Sequence, residues 1–293
     1  MNIPTILVTG ANGQVGSELR ALANSYPQIH FTFTTRKDLP IEKADALEKF
    51  FSRYKPEYLI NAAAYTAVDQ AESEKEKVYS INTEAVSIMA ALCKKYHTQF
   101  IHISTDYVFD GSAGIPYTED SVPNPTGVYG SSKLEGEQLA LQLNAQSLIV
   151  RTSWVYSRFG KNFVKTILRL MEEKQEIDVV NDQFGSPTYA ADLAETLVFI
   201  VSNCKKQIKN SPGIFHYSNK GIISWYEFAL AVKEITGSLC QVNPITTEEY
   251  PTIAKRPAFS ALDGSRIQKV FGIRLKDWKT SLATCLHQIK NAP

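Results

Sequence analysis

Tyr129 and Lys133 stand four positions apart in the stretch Tyr129-Gly130-Ser131-Ser132-Lys133, which reads as the start of a helix. That spacing puts both side chains on one helical face, about 6 Å apart along the axis. A phenol ordinarily titrates near pH 10, and an ammonium beside it lowers that value toward working pH. Such a tyrosine can pass a proton to an oxygen while a carbonyl is reduced. Taken alone, the spacing is equally that of a surface pair. A hydroxyl partner lies upstream, where Phe100-Ile101-His102-Ile103 reads as a strand ending in Ser104-Thr105-Asp106-Tyr107-Val108-Phe109. Thr105, folded back beside Tyr129, can donate to the same carbonyl. His102 reads as a strand-packing histidine rather than a catalyst.

Reduction needs a hydride carrier, and the N-terminal stretch offers a place for one. Thr5-Ile6-Leu7-Val8-Thr9 is a short β-branched run of the kind buried in a sheet. Gly10-Ala11-Asn12-Gly13-Gln14-Val15-Gly16 follows, and Val15, Leu19 and Leu22 then recur at helical spacing. Between strand and helix, Gly10 allows the tight exit, Gly13 lets backbone approach a pyrophosphate, and Gly16 lets the helix pack on the sheet. The helix N-terminus adds free N–H groups for the phosphates. The second strand, Ile29 to Thr34, runs into Thr35-Arg36-Lys37, with no acid before Asp38. An acid there would suit the adenosine ribose of NAD, whereas Arg36 suits a 2′-phosphate. The expectation is therefore NADPH, with NADH as the alternative if Arg36 and Lys37 are solvated loop charges.

The positioning elements alternate. A helix is expected over Ala44–Tyr54, a strand at Tyr58-Leu59-Ile60, a long helix from Glu74 to Tyr96, and a strand at Leu148-Ile149-Val150. Asn61 to Asp69 follows the third strand, and its small residues Ala62, Ala63 and Ala64 leave room for a ligand or pack tightly behind a helix cap. Leu134, Leu139 and Leu141 give the Tyr129 helix a partial apolar face. Strict alternation through residue 150 predicts an α/β fold with a Rossmann-type, doubly wound parallel sheet. Beyond it the pattern loosens. Helices are expected near 163–173, 189–202, 224–236, 264–271 and 277–290, with a strand at Ile214 to Tyr217 returning to the sheet. The expected division is a nucleotide-binding domain at 1–153, with return elements near 189–217, and a smaller interleaved substrate domain over most of 154–293. Arg256, before Pro257, is a candidate for a substrate anion or an ordinary surface arginine.

Bulk properties exclude other classes. The chain has 293 residues with a net charge of +1, so nothing global points to nucleic acid or an anionic membrane. Its four cysteines are scattered, with no Cys-x-x-Cys pair, as in a reduced cytoplasmic protein. There is no signal-peptide pattern and no long apolar run, so neither secretion nor membrane insertion is expected. No Gly-x-Ser-x-Gly elbow supports a hydrolase.

Gly10, Gly13 and Gly16, Asn61-Ala62-Ala63, Thr105 and the Tyr129/Lys133 pair together resemble the extended short-chain dehydrogenase/reductase superfamily. The longer runs Asn61–Asp69, Ser104–Phe109, Arg151-Thr152-Ser153-Trp154-Val155-Tyr156 and Asn181-Asp182-Gln183-Phe184-Gly185-Ser186-Pro187-Thr188 resemble the dTDP-4-dehydrorhamnose reductase family, in matching order. The resemblance implies hydride transfer from NAD(P)H to the C4 ketone of dTDP-4-dehydro-β-L-rhamnose, a nucleotide-sugar substrate. It makes Tyr129 the general acid, Lys133 the holder of the nicotinamide ribose that also lowers the tyrosine pKa, and Thr105 the partner of the ketone. It places Gly10, Asn12, Gly13, Gln14, Val15, Ala62, Ala63 and Ala64 at the cofactor. Val68, Asp106, Tyr107 and Trp154 fall at the sugar. Some members hold Mg²⁺ between carboxylates at a homodimer interface. Glu18 matches one such ligand, but Ala191 stands where the next acid is expected, with Asp192 beside it. The C-terminal residues Asn291-Ala292-Pro293 carry no carboxylate side chain. On this pattern Mg²⁺ is only weakly supported, and the homodimer that some members build around it stays an open alternative. The junction Leu39-Pro40-Ile41-Glu42 also departs from the family's acidic pattern.

Relatives with other activities share part of this pattern. A sugar-nucleotide dehydratase needs an Asp-Glu pair after the threonine, and here the pair is Asp106-Tyr107. A 4-epimerase would differ in its motifs over 151–188. A non-catalytic subunit resembling the regulatory β subunit of methionine adenosyltransferase would have no need of an intact Thr105, Tyr129 and Lys133.

Overall fold

The apolar β-branched runs become the strands of one parallel sheet in the computed structural model, which describes residues 3–291. Strand and helix alternate as β1 (Thr5–Thr9), α1 (Gln14–Ala23), β2 (His30–Thr34), α2 (Ala44–Tyr54), β3 (Tyr58–Asn61), the short α3 (Val68–Ala71) and α4 (Lys75–Tyr79), α5 (Ala85–Lys95), β4 (Gln99–Thr105), α6 (Val128–Leu143) and β5 (Leu148–Thr152). Then follow β6 (Val155–Tyr156), α7 (Phe163–Glu173), β7 (Glu176–Val180), β8 (Phe184–Gly185), β9 (Thr188–Tyr189), α8 (Ala190–Asn203), α9 (Lys205–Asn210), β10 (Gly213–His216), β11 (Ile223–Ser224), α10 (Trp225–Thr236), β12 (Gln241–Ile245), α11 (Ser265–Phe271) and α12 (Trp278–Lys290).

The main sheet runs β2-β1-β3-β4-β5-β10, and every pairing in it is parallel. Parallel strands need crossovers, and these cover both faces. On one face α1, α8 and α11 bury Val15, Leu19, Leu193, Leu197 and Phe271 against Ile6, Val8, Ile60 and Val150. On the other, α2 and α5 bury Leu47, Phe51, Val86 and Met89 against Leu7, Leu59 and Ile149. Strand order reverses between β1 and β3. This switch point is where sheets of this type open a crevice at their carboxyl ends. The strand expected at residues 214–217 does join the sheet, as β10 beside β5.

A second core lies away from the sheet. There α7, α10 and α12 bury Ile167, Met171, Phe228, Val232, Leu282 and Leu286 over a parallel pair, β7 with β12.

The long helix expected from Glu74 to Tyr96 is interrupted. A π-helical turn, Ser80–Glu84, separates α4 from α5. A π turn sets one side chain out of the regular register. Here the turn carries Asn82, whose Oδ1 accepts from the Tyr65 N–H at 2.9 Å. Its Nδ2 donates to the Tyr65 carbonyl at 3.1 Å and to Ser132 Oγ at 3.1 Å. One buried amide thus fastens the loop after β3 to α6.

The apolar residues of α6 are not its buried face either. Leu134, Leu139 and Leu141 are only partly covered, while Tyr129, Ser132, Lys133, Gly136, Glu137 and Ala140 are buried. The helix turns its polar side inward.

Candidate active site

The glycine turn and the loop after β3 meet at the switch point. Gly10 has φ +69°, and a Cβ there would lie 2.6 Å from the Ala62 carbonyl carbon. Only glycine allows that approach. Between them opens a cleft of about 480 Å³ lined by Gly10, Asn12, Gly13, Arg36, Ala62, Ala63 and Ala64, among others. Helix α1 begins at Gly13 with no side-chain cap and no acid in its first turn. Its leading N–H groups and dipole therefore remain available to an anion. Those features fit the diphosphate of a dinucleotide. Arg36 reaches the cleft but gives Nε and Nη2 to Glu42 Oε1, at 2.9 and 2.6 Å. Gln14 and Val15 turn away from the cleft. Gln14 donates to the Val155 carbonyl and accepts from Asn162, and Val15 is buried in the core.

Tyr129 and Lys133 are buried side by side on α6. Burial pushes the Tyr129 phenol above its ordinary value, with Asp106 and Tyr107 adding to the rise and the Thr105 side chain opposing it. The expectation that Lys133 lowers this phenol is not met, because burial dominates and the amine is engaged elsewhere. Lys133 Nζ donates to the Ile103 carbonyl at 2.7 Å and lies 3.1 Å from His102 Nε2. Burial lowers Lys133 to about 8, with Glu137 opposing. His102 is buried in its strand as expected, yet it is also the nearest side-chain contact of the lysine. Glu137, one turn beyond Lys133, forms a fully buried ion pair with Arg151 on β5 at 2.6 Å. Tyr129, Lys133 and Glu137 thus line one stripe of the helix.

Thr105 ends β4. Its hydroxyl donates to Asp106 Oδ1 at 3.0 Å and accepts from the Tyr107 N–H at 3.2 Å. A hydroxyl has one proton, so donating to a ketone requires that proton to swing away from Asp106. Asp106 is itself buried, and burial raises its carboxyl to about 6, with the neighbouring Ser260 and Thr105 hydroxyls opposing. It stands behind Thr105 and does not line the neighbouring cavity. Val68 packs with Tyr65 and Tyr129 instead.

That cavity, about 680 Å³, opens beside Tyr107. It brings together Tyr107, Trp154 and Arg256, three of the residues expected at a sugar. Trp154 takes the left-handed region at φ +49° and stacks on Trp225 with centroids 3.5 Å apart. Phe163 tilts against Trp225 at 4.6 Å. Arg256 donates to Asp69 at 2.6 Å and to the Tyr107 hydroxyl at 3.2 Å. The Ala254 N–H also donates to Asp69, at 3.1 Å. Asp69 therefore pins the 250–257 loop across the mouth. Sequence reasoning missed Phe163, Trp225, Tyr250 and Ile253 among the lining residues. An aromatic opening α10 was the only local signal for Trp225.

The two acids weighed for a metal, Glu18 and Asp192, are each engaged with other groups of the chain. Glu18 accepts from Ser157 at 2.6 Å and faces Arg158. The Asp192 oxygens are taken by Lys276, Asn219 and Ser281. Among the described residues no group of acids, histidines or cysteines converges as a metal site. Ala292 and Pro293 lie outside those residues. The four cysteines are free and buried. No helix among the described residues is long and apolar enough to cross a membrane.

A doubly wound sheet with a dinucleotide cleft at its switch point and Tyr129 and Lys133 buried beside it defines an NAD(P)-linked oxidoreductase of the extended short-chain type. A family model described as the RmlD substrate binding domain matches residues 4–291. A dTDP-4-dehydrorhamnose reductase of Aggregatibacter actinomycetemcomitans is 41% identical, over 94% of this chain and 96% of its own. The spore coat polysaccharide biosynthesis protein SpsK of Bacillus subtilis is 42% identical, over 98% of both chains. A solved dTDP-4-dehydrorhamnose reductase from Bacillus anthracis, in complex with NADP, superposes with a TM-score of 0.92 at 34% identity, covering 98% of this chain and all of that one. The chain belongs to the dTDP-4-dehydrorhamnose reductase family.

Proposed function

We infer that this protein reduces the C4 ketone of dTDP-4-dehydro-β-L-rhamnose to give dTDP-β-L-rhamnose, in the cytoplasm, for polysaccharide synthesis. The observation that carries the reading is Tyr129, which packs with Tyr65 of the dinucleotide cleft and lies edge-on to Tyr107 of the aromatic cavity, with Lys133 one turn along α6. A reduced nicotinamide nucleotide, NADPH in preference to NADH, supplies the hydride when bound in the cleft. Asn12, Gly13 and the first turn of α1 hold its diphosphate, Ala62 to Ala64 flank it, and Arg36 turns from Glu42 to a 2′-phosphate.

Thr105 holds the ketone oxygen and stabilises charge as it develops there. Tyr129 gives its phenolic proton to that oxygen. A donor must hold its proton until the transfer, and burial keeps this phenol protonated at working pH. Lys133 holds the ribose and restores the tyrosine proton. Trp154 stacks on the sugar, and Arg256 leaves Asp69 to meet the diphosphate. On this reading residues 1–153, with the return elements, bind the cofactor, and most of 154–293 binds the sugar nucleotide.

The test is oxidation of NADPH with the dehydrorhamnose nucleotide generated in situ. Stoichiometric oxidation with formation of the rhamnose nucleotide is expected. No oxidation with either NADPH or NADH would shift the assignment to a non-catalytic binding subunit.

A further inference from the structure

Behind Lys133 runs a chain of buried polar groups that the reaction as described does not use. Thr9 on β1 donates to Asn61 Oδ1 at 2.6 Å, and the Ala63 N–H donates to the same oxygen at 3.2 Å. Asn61 Nδ2 meets His102 Nδ1 at 2.9 Å, and His102 Nε2 meets Lys133 Nζ at 3.1 Å. Thr9, Asn61, His102 and Lys133 are each no more than 1% exposed. Groups so buried must balance donors against acceptors among themselves.

The balance has two solutions. A neutral imidazole offers one donor and one acceptor. Asn61 Oδ1 already accepts from Thr9 and Ala63, so its NH₂ faces the ring and Nδ1 accepts. The ring proton then sits on Nε2 and points at Lys133. An ammonium has no lone pair to receive it, whereas an amine has one. The second solution puts the proton on Nδ1 and leaves Nε2 bare for an ammonium. Asn61 must then turn its oxygen toward the ring. Thr9 tolerates that turn, because a hydroxyl can also accept. The Ala63 N–H does not, and it loses its acceptor.

We propose that Asn61 and His102 are positioning residues that make the charge of Lys133 a two-state switch. The amine goes with one imidazole tautomer and amide orientation, and the ammonium with the other. The switch lies against the cofactor cleft, because Ala63 lines it. Burial, opposed by Glu137, brings Lys133 down to about 8, so both states are within reach near neutrality. The titratable and charged groups around Lys133 are His102 from β4, Tyr129 and Glu137 from its own helix, and Arg151 from β5 through its pair with Glu137. The residues of the π turn that contact α6, Asn82 and Thr83, are uncharged. The inference rests on the reductase reading only for its activity measurement.

The test is the imidazole ¹⁵N spectrum of ¹⁵N-histidine-labelled protein across about pH 6 to about pH 10, with His102 assigned from His102→Gln. The wild type should pass from the Nδ1–H to the Nε2–H tautomer with a midpoint near 8. Asn61→Asp presents only acceptors to Thr9, Ala63 and His102. It should hold the Nδ1–H tautomer throughout and move the alkaline limb of kcat/KM up by about one unit or more. A merely structural role would change kcat or Tm without moving that limb. If Asn61→Asp fails to fold, Lys133→Met serves in its place, and the His102 transition must vanish. A single wild-type tautomer over the whole range would overturn the switch, as would an unchanged midpoint in either variant. A transition in a protein that oxidises no NADPH would uphold the switch and sink the reductase assignment instead.

Discussion

The nucleotide cleft and the cavity beside Tyr107 are neighbours built in different ways. The cleft is mostly main chain: the Gly10 turn against Ala62, with the uncapped start of α1. The cavity is mostly side chain: Trp154, Phe163 and Trp225 from three segments, closed by the loop that Asp69 holds through Arg256. A backbone site tolerates side-chain changes and fails when main-chain geometry is altered. A side-chain site does the reverse.

That contrast can be broken by substitution. Tyr129 stands between the two sites and should give the largest effect. Tyr129→Phe is expected to lower kcat by about 10²–10⁴-fold while NADPH binding, followed by fluorescence titration, changes little. Near-normal turnover would remove the proton donor. On the cleft side, Gly10→Ala forces a Cβ against Ala62 at a positive φ. It should weaken NADPH by about 100-fold or leave the protein poorly folded, a strain of about 1–3 kcal/mol. On the cavity side, Trp154→Ala should raise KM for the sugar nucleotide by about 10-fold or more and leave NADPH affinity alone. Equal losses for both ligands would erase the distinction.

Arg36→Ala tests the charged side chain assigned to the 2′-phosphate. A loss of about 10-fold in NADPH affinity is expected, with NADH unaffected. Parallel losses would mean Arg36 serves only Glu42.

The smallest effect concerns stability. Asp106 is raised to about 6 in the folded protein, against about 3.9 when unfolded. Between those values the folded state binds the extra proton, so stability falls as pH rises through that window and stays lower above it. Asp106→Asn removes this penalty at pH 8 but places an amide NH₂ where Oδ2 has no partner. A net gain of about 1 kcal/mol is expected at pH 8 and none at pH 4, read from denaturant midpoints. A gain equal at both pH values would show that the carboxylate charge is not the cause.

The same contrast explains what could be read from the sequence. The cleft was legible because glycines between a strand and a helix have few other uses. Helices α2 and α7 were read at their observed bounds, since their apolar residues recur at helical spacing. The π turn at Ser80–Glu84 left no local mark, because it is held by Asn82 bonding to Tyr65 and Ser132. Helix α6 misled for a related reason. Its buried face carries Lys133 and Glu137, so apolar periodicity pointed to the wrong side. Strands β7 and β12 pair across a long separation and were missed. The 250–257 loop takes its place from bonds of Arg256 and Ala254 to Asp69 and of Arg256 to Tyr107, which no spacing rule contains.

The stacked indoles have an optical consequence. The chain has three tryptophans, Trp154, Trp225 and Trp278, and all of them pack on the core away from the sheet. Two lie face to face at 3.5 Å, close enough to couple as chromophores. Tryptophan emission therefore reports that part of the molecule, whereas the sheet and its covering helices carry only tyrosine and phenylalanine as fluorophores. A sugar ring entering between Tyr107 and Trp154 would register as a change in tryptophan emission without any label, a signal to which the sheet contributes no indole.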